Sequence, residues 1–248
     1  MNYDSMLKIV REAQTTALFA GMTSETLRAL FLRIDAYRRT YRKGEFIEFE
    51  GMRASTIYAI VSGRVLATLD VEDGRKHVGC EFHDGDAIGL ALLYCDGANG
   101  PSADWADSNV LPCWQGTFQA VEETIVIGFN VLKARKLSAS GAQEFHQVFL
   151  NALYLMSRTL LNVWRKQVST SGETAEDRVM LYLRRVDYET GASGVVEVPF
   201  NQGDWANYLC LGRSTLCRAI RNLKRQGRID WIGRRFLLGK DIFSGNAV

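Results

Sequence analysis

The chain has 248 residues, 47% of them hydrophobic and 23% charged. This excludes a disordered or fibrous chain and leaves one large or two modest globular domains. The formal net charge of +2 hides a division: residues 199–240 hold nine Lys/Arg against Asp204 and Asp230, a balance of +7, which leaves −5 for the rest. A basic module on an acidic body is the asymmetry expected when only one part touches nucleic acid.

In chain order, residues 3–20 read as a short amphipathic helix. Thr23 or Ser24 can cap a second helix that runs to about Ile34 through Leu27, Leu30 and Phe31. From Tyr41 the pattern shortens to strands at 46–49, 56–61 and 64–69, separated by Glu50-Gly51, Ser62-Gly63 and Glu72-Asp73-Gly74. Further strands are expected at 77–82, 87–90, 117–120 and 124–129, with Asp84-Gly85-Asp86 as a turn. Evenly spaced strands with glycine turns favour a sandwich or barrel. A long irregular stretch, Tyr94 to Gln115, interrupts them. From about Ala142 to Val168 the period turns helical, over roughly 40 Å at 1.5 Å per residue. Phe149, Leu153, Met156, Leu160, Val163 and Gln167 alternate spacings of four and three, a seam of the coiled-coil kind that points to a homodimer. Ser169-Thr170-Ser171-Gly172 is the plausible hinge, and a helix from Glu173 to Arg185 follows it.

The most informative stretch is 201–239. Two short helical patterns abut. The first places Trp205, Ala206 and Leu209 on one side, and the second carries Leu216, Ala219, Ile220 and Leu223 at i, i+3, i+4, i+7. Cys210-Leu211-Gly212 suits the turn of a helix-turn-helix, with Gly212 the residue expected to take a positive φ. The outer face of the second helix holds Ser214, Arg218, Arg221 and Arg225, and from Arg213 to Ile229 there are six cations and no carboxylate. An unrelieved basic face meets a dense row of phosphates, while side chains near the helix N-terminus reach base edges. Residues 229–238 then read as a hairpin turning at Gly233. This is a wing whose Arg234 and Arg235 would meet backbone phosphate.

This order of parts resembles the cyclic-AMP receptor protein/fumarate-nitrate reductase regulators (CRP/FNR) over nearly the whole chain. The local matches are Gly203-Asp204-x-x-Asn207-Tyr208-Leu209-x-Leu211 with Thr215, Arg218 and Gly227-Arg228-Ile229. In the sensor they are Tyr58-x-Ile60-Val61-x-Gly63 and Asp84-Gly85-Asp86-x-Ile88-Gly89. The resemblance implies an α+β fold: an N-terminal β-roll of the cyclic-nucleotide-binding, jelly-roll type over 1–135, a dimerisation helix over 136–168 and a winged helix over 169–248. It further implies that Arg213, Ser214, Cys217 and Arg218 face base edges and Thr215 faces phosphate. Most family members that resemble this chain carry Glu where Ser214 stands, and a carboxylate accepts from cytosine. The operator is therefore expected to be a two-fold repeat that departs from the usual family consensus. Double-stranded DNA and a second copy of the chain are the expected partners, and RNA polymerase is a further candidate.

The effector site departs from the family pattern. Cyclic-nucleotide binders have Gly-Glu-Leu on this turn and an Arg-Ser later, whereas here Gly89 precedes Leu90-Ala91-Leu92 and no Lys or Arg occurs from His77 to Leu132. A buried phosphate without a guanidinium partner is disfavoured, so the sequence argues against a cyclic nucleotide and leaves the small-molecule effector unidentified. Ile88, Leu90, Tyr94, Trp105, Trp114 and Phe118 are the candidate pocket residues, with packing of the long loop on the roll as the alternative. No cofactor or metal site is evident. The five cysteines, Cys80, Cys95, Cys113, Cys210 and Cys217, lack Cys-x-x-Cys spacing, and the N-terminal cysteine group of the iron–sulfur branch is missing. A redox switch among Cys80, Cys95 and Cys113, and haem ligation by His77 and His83, are the weaker options. No apolar run approaches the roughly 18 residues of a membrane span. No signal-peptide pattern is present either, so a reduced cytoplasm is expected. Two other readings stand beside the effector-responsive regulator: a DNA-binding regulator with a vestigial sensor, and a cupin-like metal enzyme. The last would need a His/carboxylate cluster in the roll, where only His77 and His83 fall.

Overall fold

The computed structural model describes residues 3–70, 76–94 and 111–239. The chain divides into two compact units, one containing residues 1–74 and 79–160 and the other residues 75–78 and 161–248.

In the first unit, α1 (Tyr3–Ala13) buries Met6, Ile9, Val10 and Ala13 on one stripe. It stops short of the predicted residue 20. The hydroxyls of Thr15 and Thr16 donate to the carbonyls of Glu12 and Ala13, at 2.7 and 2.8 Å, and so compete with the helical ladder. A 3₁₀ turn at Ala17–Phe19 then buries Leu18 and Phe19. The second helix, α2 (Ser24–Arg33), is capped by Thr23, whose hydroxyl accepts from the Thr26 amide.

The strands form two four-stranded antiparallel sheets. One has the order β1 (Tyr37–Tyr41), β8 (Thr124–Asn130), β3 (Thr56–Ser62), β6 (Ala87–Ile88). The other has the order β2 (Phe46–Glu48), β7 (Thr117–Ala120), β4 (Val65–Asp70), β5 (Lys76–Phe82). Each predicted strand is present, although the one expected at 87–90 ends at Ile88 and gives way to a 3₁₀ turn over Leu90–Leu93. Sequence reading passed over β1, because Tyr-Arg-Arg-Thr-Tyr buries only Tyr41 and lies on a sheet edge. Its register sets Tyr37 opposite Gly128, and a Cβ on Gly128 would stand 2.5 Å from the Tyr37 ring. The absence of a side chain at Gly128 lets the Tyr37 ring lie across β8.

Also unread in the sequence was α3 (Val131–Ala139), whose start is fixed by the Asn130 side chain accepting from the Lys133 amide at 3.0 Å. The long helix α4 (Gln143–Thr170) has 28 residues, hence about 42 Å at 1.5 Å per residue. Its first half buries Phe145, Val148, Ala152 and Leu155 against the first unit's core. It also runs two residues into the predicted hinge, where Ser169 is fully buried and its hydroxyl donates back to the Arg165 carbonyl.

The second unit is a winged helix. A reciprocal cap between Thr174 and Asp177 starts α5 (Ala175–Thr190). Next come β9 (Val195–Glu197), α6 (Gln202–Tyr208), α7 (Arg213–Arg225), β10 (Ile229–Ile232) and β11 (Arg235–Leu238), the strands pairing in the order β10-β11-β9. The core joins Val179, Tyr182 and Leu183 of α5 to Trp205, Leu216, Ile220, Leu223 and Phe236. Together the two units form the α+β arrangement of β-roll, long helix and winged helix anticipated from the sequence.

Candidate nucleic-acid interface

The turn between α6 and α7 is built differently from expectation. Gly212 sits at φ −69°, as the residue that caps α7, and its carbonyl accepts from the Leu216 amide at 2.9 Å. Cys210 takes the left-handed conformation instead, at φ 54°. A non-glycine residue in that region needs support from its surroundings. Arg178 of α5 supplies it, donating from Nη1 to the carbonyls of Leu209 and Cys210, at 3.3 and 3.2 Å, and from Nε to the carbonyl of Gly172 at 3.0 Å. One guanidinium thus satisfies carbonyls at the end of α6 that no helical amide can reach.

Burying Leu216, Ala219, Ile220 and Leu223 forces the opposite side of α7 outward. Arg213, Ser214, Arg218, Arg221 and Arg225 are exposed, while Thr215 and Cys217 are half-buried. Among the described residues, none of these four arginines lies within ion-pair distance of a carboxylate. Arg221 donates to the Cys217 carbonyl at 3.2 Å, Arg225 contacts Asn222, and the Cys217 thiol donates to Gln202 at 3.6 Å. A neighbouring cation is engaged elsewhere. Lys224 pairs with Asp230 at 2.6 Å and lies over the Trp231 ring, and its ammonium holds the Asp230 carboxyl below the usual range, with help from the Trp231 amide. Asp230 lies one residue past the carboxylate-free interval, so sequence spacing did not reveal this neutralisation.

The hairpin turns at Gly233 and Arg234, with Gly233 at φ 64°. Arg235 is not at the tip but opens β11, where it faces Glu197 of β9 at 3.5 Å. The wing therefore presents one free arginine among the described residues, Arg234.

The last turn of α4 is fastened to the same unit. Arg185 donates to the Ser169 hydroxyl at 3.3 Å and pairs with Glu189 at 2.9 Å, Arg165 pairs with Glu189 at 2.8 Å, and Lys166 sits 5.4 Å from the Tyr208 ring centre.

The outer face of α4 is apolar. Phe149, Leu153, Leu160 and Val163 of the predicted seam are exposed, Leu153 by 54% and Leu160 by 68%, and Gln167 is exposed as well. Met156 turns partly inward and packs on the first unit's core. Leu150, Tyr154, Leu161, Trp164 and Val168 widen the exposed apolar surface.

In the roll, Ile88, Leu90, Trp114 and Phe118 come together as core. The Trp114 ring meets the edge of Phe118 with centroids 5.0 Å apart, and a Cβ on the left-handed Gly89 would fall 2.8 Å from Trp114. Tyr94 turns to Phe149 of α4, with ring centroids 5.6 Å apart, and burial raises its hydroxyl pKa. Trp105, Cys95 and the His77 side chain lie outside the described residues. Cys80 is half-buried, Cys113 and His83 are exposed, and the His83 imidazole stands 3.8 Å from Glu81. Sequence reasoning missed Arg135, which lies three residues past the cation-free interval. It is fully buried, and its Nε donates to the Leu92 carbonyl at 2.7 Å. The Asp84–Asp86 turn is tied to α4 through an Asp86–Arg158 ion pair. Among the described residues no group of three or more His, Cys, Asp or Glu could hold a metal ion, and no helix is long and apolar enough to cross a membrane.

Comparison with known proteins accords with this geometry. A family model described as a Crp-like helix-turn-helix domain matches residues 177–242, and one described as a cyclic nucleotide-binding domain matches residues 38–104. Curated protein sequences give no match. Among solved structures, FixK2 from Bradyrhizobium japonicum is 25% identical, with 82% of this chain and 92% of that one covered and a TM-score of 0.55. The c-di-GMP-responsive global regulator CLP of Xanthomonas campestris is 17% identical over 88% and 99%, with a TM-score of 0.63. A CooA mutant from Carboxydothermus hydrogenoformans is 16% identical over 98% and 94%, with a TM-score of 0.64. The last two share the fold. With its roll, its helix-turn-helix and these two matched domains, the chain belongs to the CRP/FNR family of transcription regulators.

Proposed function

We propose that the chain acts as a homodimer that sets two copies of α7 into successive major grooves of a two-fold-symmetric operator, under the control of a small molecule held by the roll. The observation that carries this reading is the outer face of α7. Its four exposed arginines have no carboxylate partners among the described residues, on a helix whose other face is fixed in a core. Phosphate is the partner such a face fits. In this reading Arg213, Ser214, Cys217 and Arg218 address base edges, with Arg218 bidentate on a guanine, and Thr215 addresses phosphate. Arg221, Arg225 and Arg234 hold the backbone. Arg235 contributes least, since a phosphate must displace Glu197.

The dimer reading rests on α4. Exposed apolar residues recur along α4 from Phe149 to Val168, and self-pairing of the helix about a two-fold axis would cover them. Effector control has two supports: the Asp86–Arg158 pair, which ties a roll turn to α4, and the contacts of Lys166 and Ser169, which tie the helix's last turn to the winged helix. In the same reading the effector is not a cyclic nucleotide, because Arg135, the buried guanidinium among the described residues, is turned to the Leu92 carbonyl. The division into sensor (1–135), dimerisation helix (136–168) and winged helix (169–248) remains the working scheme.

A second reading, a regulator with a vestigial sensor, is favoured by the packing of Ile88, Leu90, Trp114 and Phe118 into the core. Thermal unfolding against a metabolite panel separates the two, since a ligand of the native state must raise Tm. For the main proposal, random duplexes are selected on the purified protein and binding is followed by fluorescence anisotropy. Enrichment of an inverted repeat supports it, and failure to enrich any sequence refutes it.

A further inference from the structure

Between α7 and the hairpin the second unit contains a cavity of about 350 Å³, within the range of about 300–1,000 Å³ typical of small-molecule sites. Its walls include Phe200, Trp205, Trp231 and Phe236, and Arg221 and Arg234 also line it. Trp205 and Phe236 are buried and lie edge to face at 5.2 Å, and Phe236 and Trp231 are near-parallel, so the walls are held by the unit's own core. Neither Arg221 nor Arg234 has a carboxylate partner among the described residues.

We infer that this cavity is a binding site for a small aromatic carboxylate, and that its occupant and DNA exclude one another. The four rings offer an apolar enclosure for a planar body. Two uncompensated guanidinium groups favour a carboxylate, which Arg recognises through paired hydrogen bonds, and disfavour a cation or a neutral ring. A bare phosphate would satisfy the arginines but leave the aromatic walls unused. Arg221 belongs to the face of α7 assigned above to DNA, and Arg234 to the tip of the wing. A carboxylate that occupies both withdraws them from the nucleic-acid backbone, and by linkage each ligand weakens the other. The ligand site itself does not depend on the DNA reading; only the exclusion does.

The test uses the full chain and isothermal titration with phenylacetate, naphthalene-2-carboxylate and indole-3-acetate, with inorganic phosphate as the anion-only control. Saturable binding of at least one carboxylate and none of phosphate is expected. Arg221→Gln and Arg234→Gln should each weaken binding by about tenfold or more, the loss expected for one charge-assisted hydrogen bond. Nuclear magnetic resonance of the indole N–H groups locates the site, with Trp231→Phe used for assignment. Shifts at Trp205 and Trp231 support it. No saturable binding by any of the three carboxylates, unchanged affinity in both Gln variants, or shifts confined to Trp114 would each overturn the site. If a carboxylate binds there while operator affinity at saturation is unchanged, the exclusion is overturned and the site stands. Absence of operator binding without ligand counts against the DNA reading instead.

Discussion

Arg178 offers the sharpest test of how the helix-turn-helix is held. Arg178→Ala strips three carbonyls of their donor, those of Gly172, Leu209 and Cys210. A hydrogen bond from a charged donor contributes about 1.5–3 kcal/mol when it cannot be replaced. Arg178 is only half-buried, so water recovers part of the loss, and the two Nη1 contacts at 3.2–3.3 Å share one nitrogen. The expected cost is therefore about 2–3 kcal/mol for the second unit, toward the low end of the summed contacts. Arg178→Lys should recover less than half, since an ammonium cannot span the Gly172 carbonyl and those of Leu209 and Cys210. Urea unfolding followed by tryptophan fluorescence, with the transitions of the two units fitted separately, measures the loss. Because Arg178 positions the turn and touches no phosphate in the proposed complex, the substitution should reduce operator affinity while leaving the salt slope of binding unchanged. A stability loss below about 0.5 kcal/mol, typical of an ordinary surface change, would refute the clamp. A salt slope reduced by about two, roughly one for each protomer, would make Arg178 a phosphate contact instead.

Arg218→Ala should lose about 1–3 kcal/mol of discrimination at a single base pair, with a smaller effect on non-specific DNA. Equal loss on every duplex in a competition assay would remove its base-reading role. Replacing Leu153 and Leu160 together with Glu should convert the protein to monomers by light scattering, and a surviving dimer would place the interface elsewhere. The Thr174 hydroxyl and amide hold the Asp177 carboxyl below its usual pKa. A depressed folded value means the stabilisation is present above the unfolded pKa of about 3.9 and is lost as pH falls through the folded one. Asp177→Asn should accordingly flatten the acid limb of the second unit's stability curve below about pH 4, and an unchanged limb would show that the cap contributes nothing there.

The seven strands predicted in the roll were legible because glycine turns punctuate runs of Val, Ile and Phe. The α7 face was legible because its apolar stripe and its arginines have the same helical period. Other features lacked a local signal. The strand β1 is polar and lies on an edge, so burial of Tyr41 alone leaves no alternation to read. The short α3 follows directly on a strand and holds two lysines and an arginine, one of them buried, so charge obscured its Val131, Ala134, Leu137 spacing; only the Asn130 cap marked it. The break after α1 came from two threonine hydroxyls, and the left-handed turn residue was Cys210 because an arginine some thirty residues earlier holds its carbonyl. Such long-range support leaves no trace in local composition. The pairings of Lys224 with Asp230 and Arg235 with Glu197 likewise need the folded hairpin, and they reduce the number of cations free for phosphate below the count made from sequence.

The most direct measurement is the affinity of the full-length protein for a selected two-fold duplex across a range of salt concentrations, beside the same duplex with one half-site scrambled. Three backbone-contacting cations per chain, Arg221, Arg225 and Arg234, engaged twice, predict that log K falls against log salt with a slope of about −5. The scrambled duplex should bind far more weakly. A slope near zero, or equal affinity for the two duplexes, would contradict a paired recognition helix in the DNA groove.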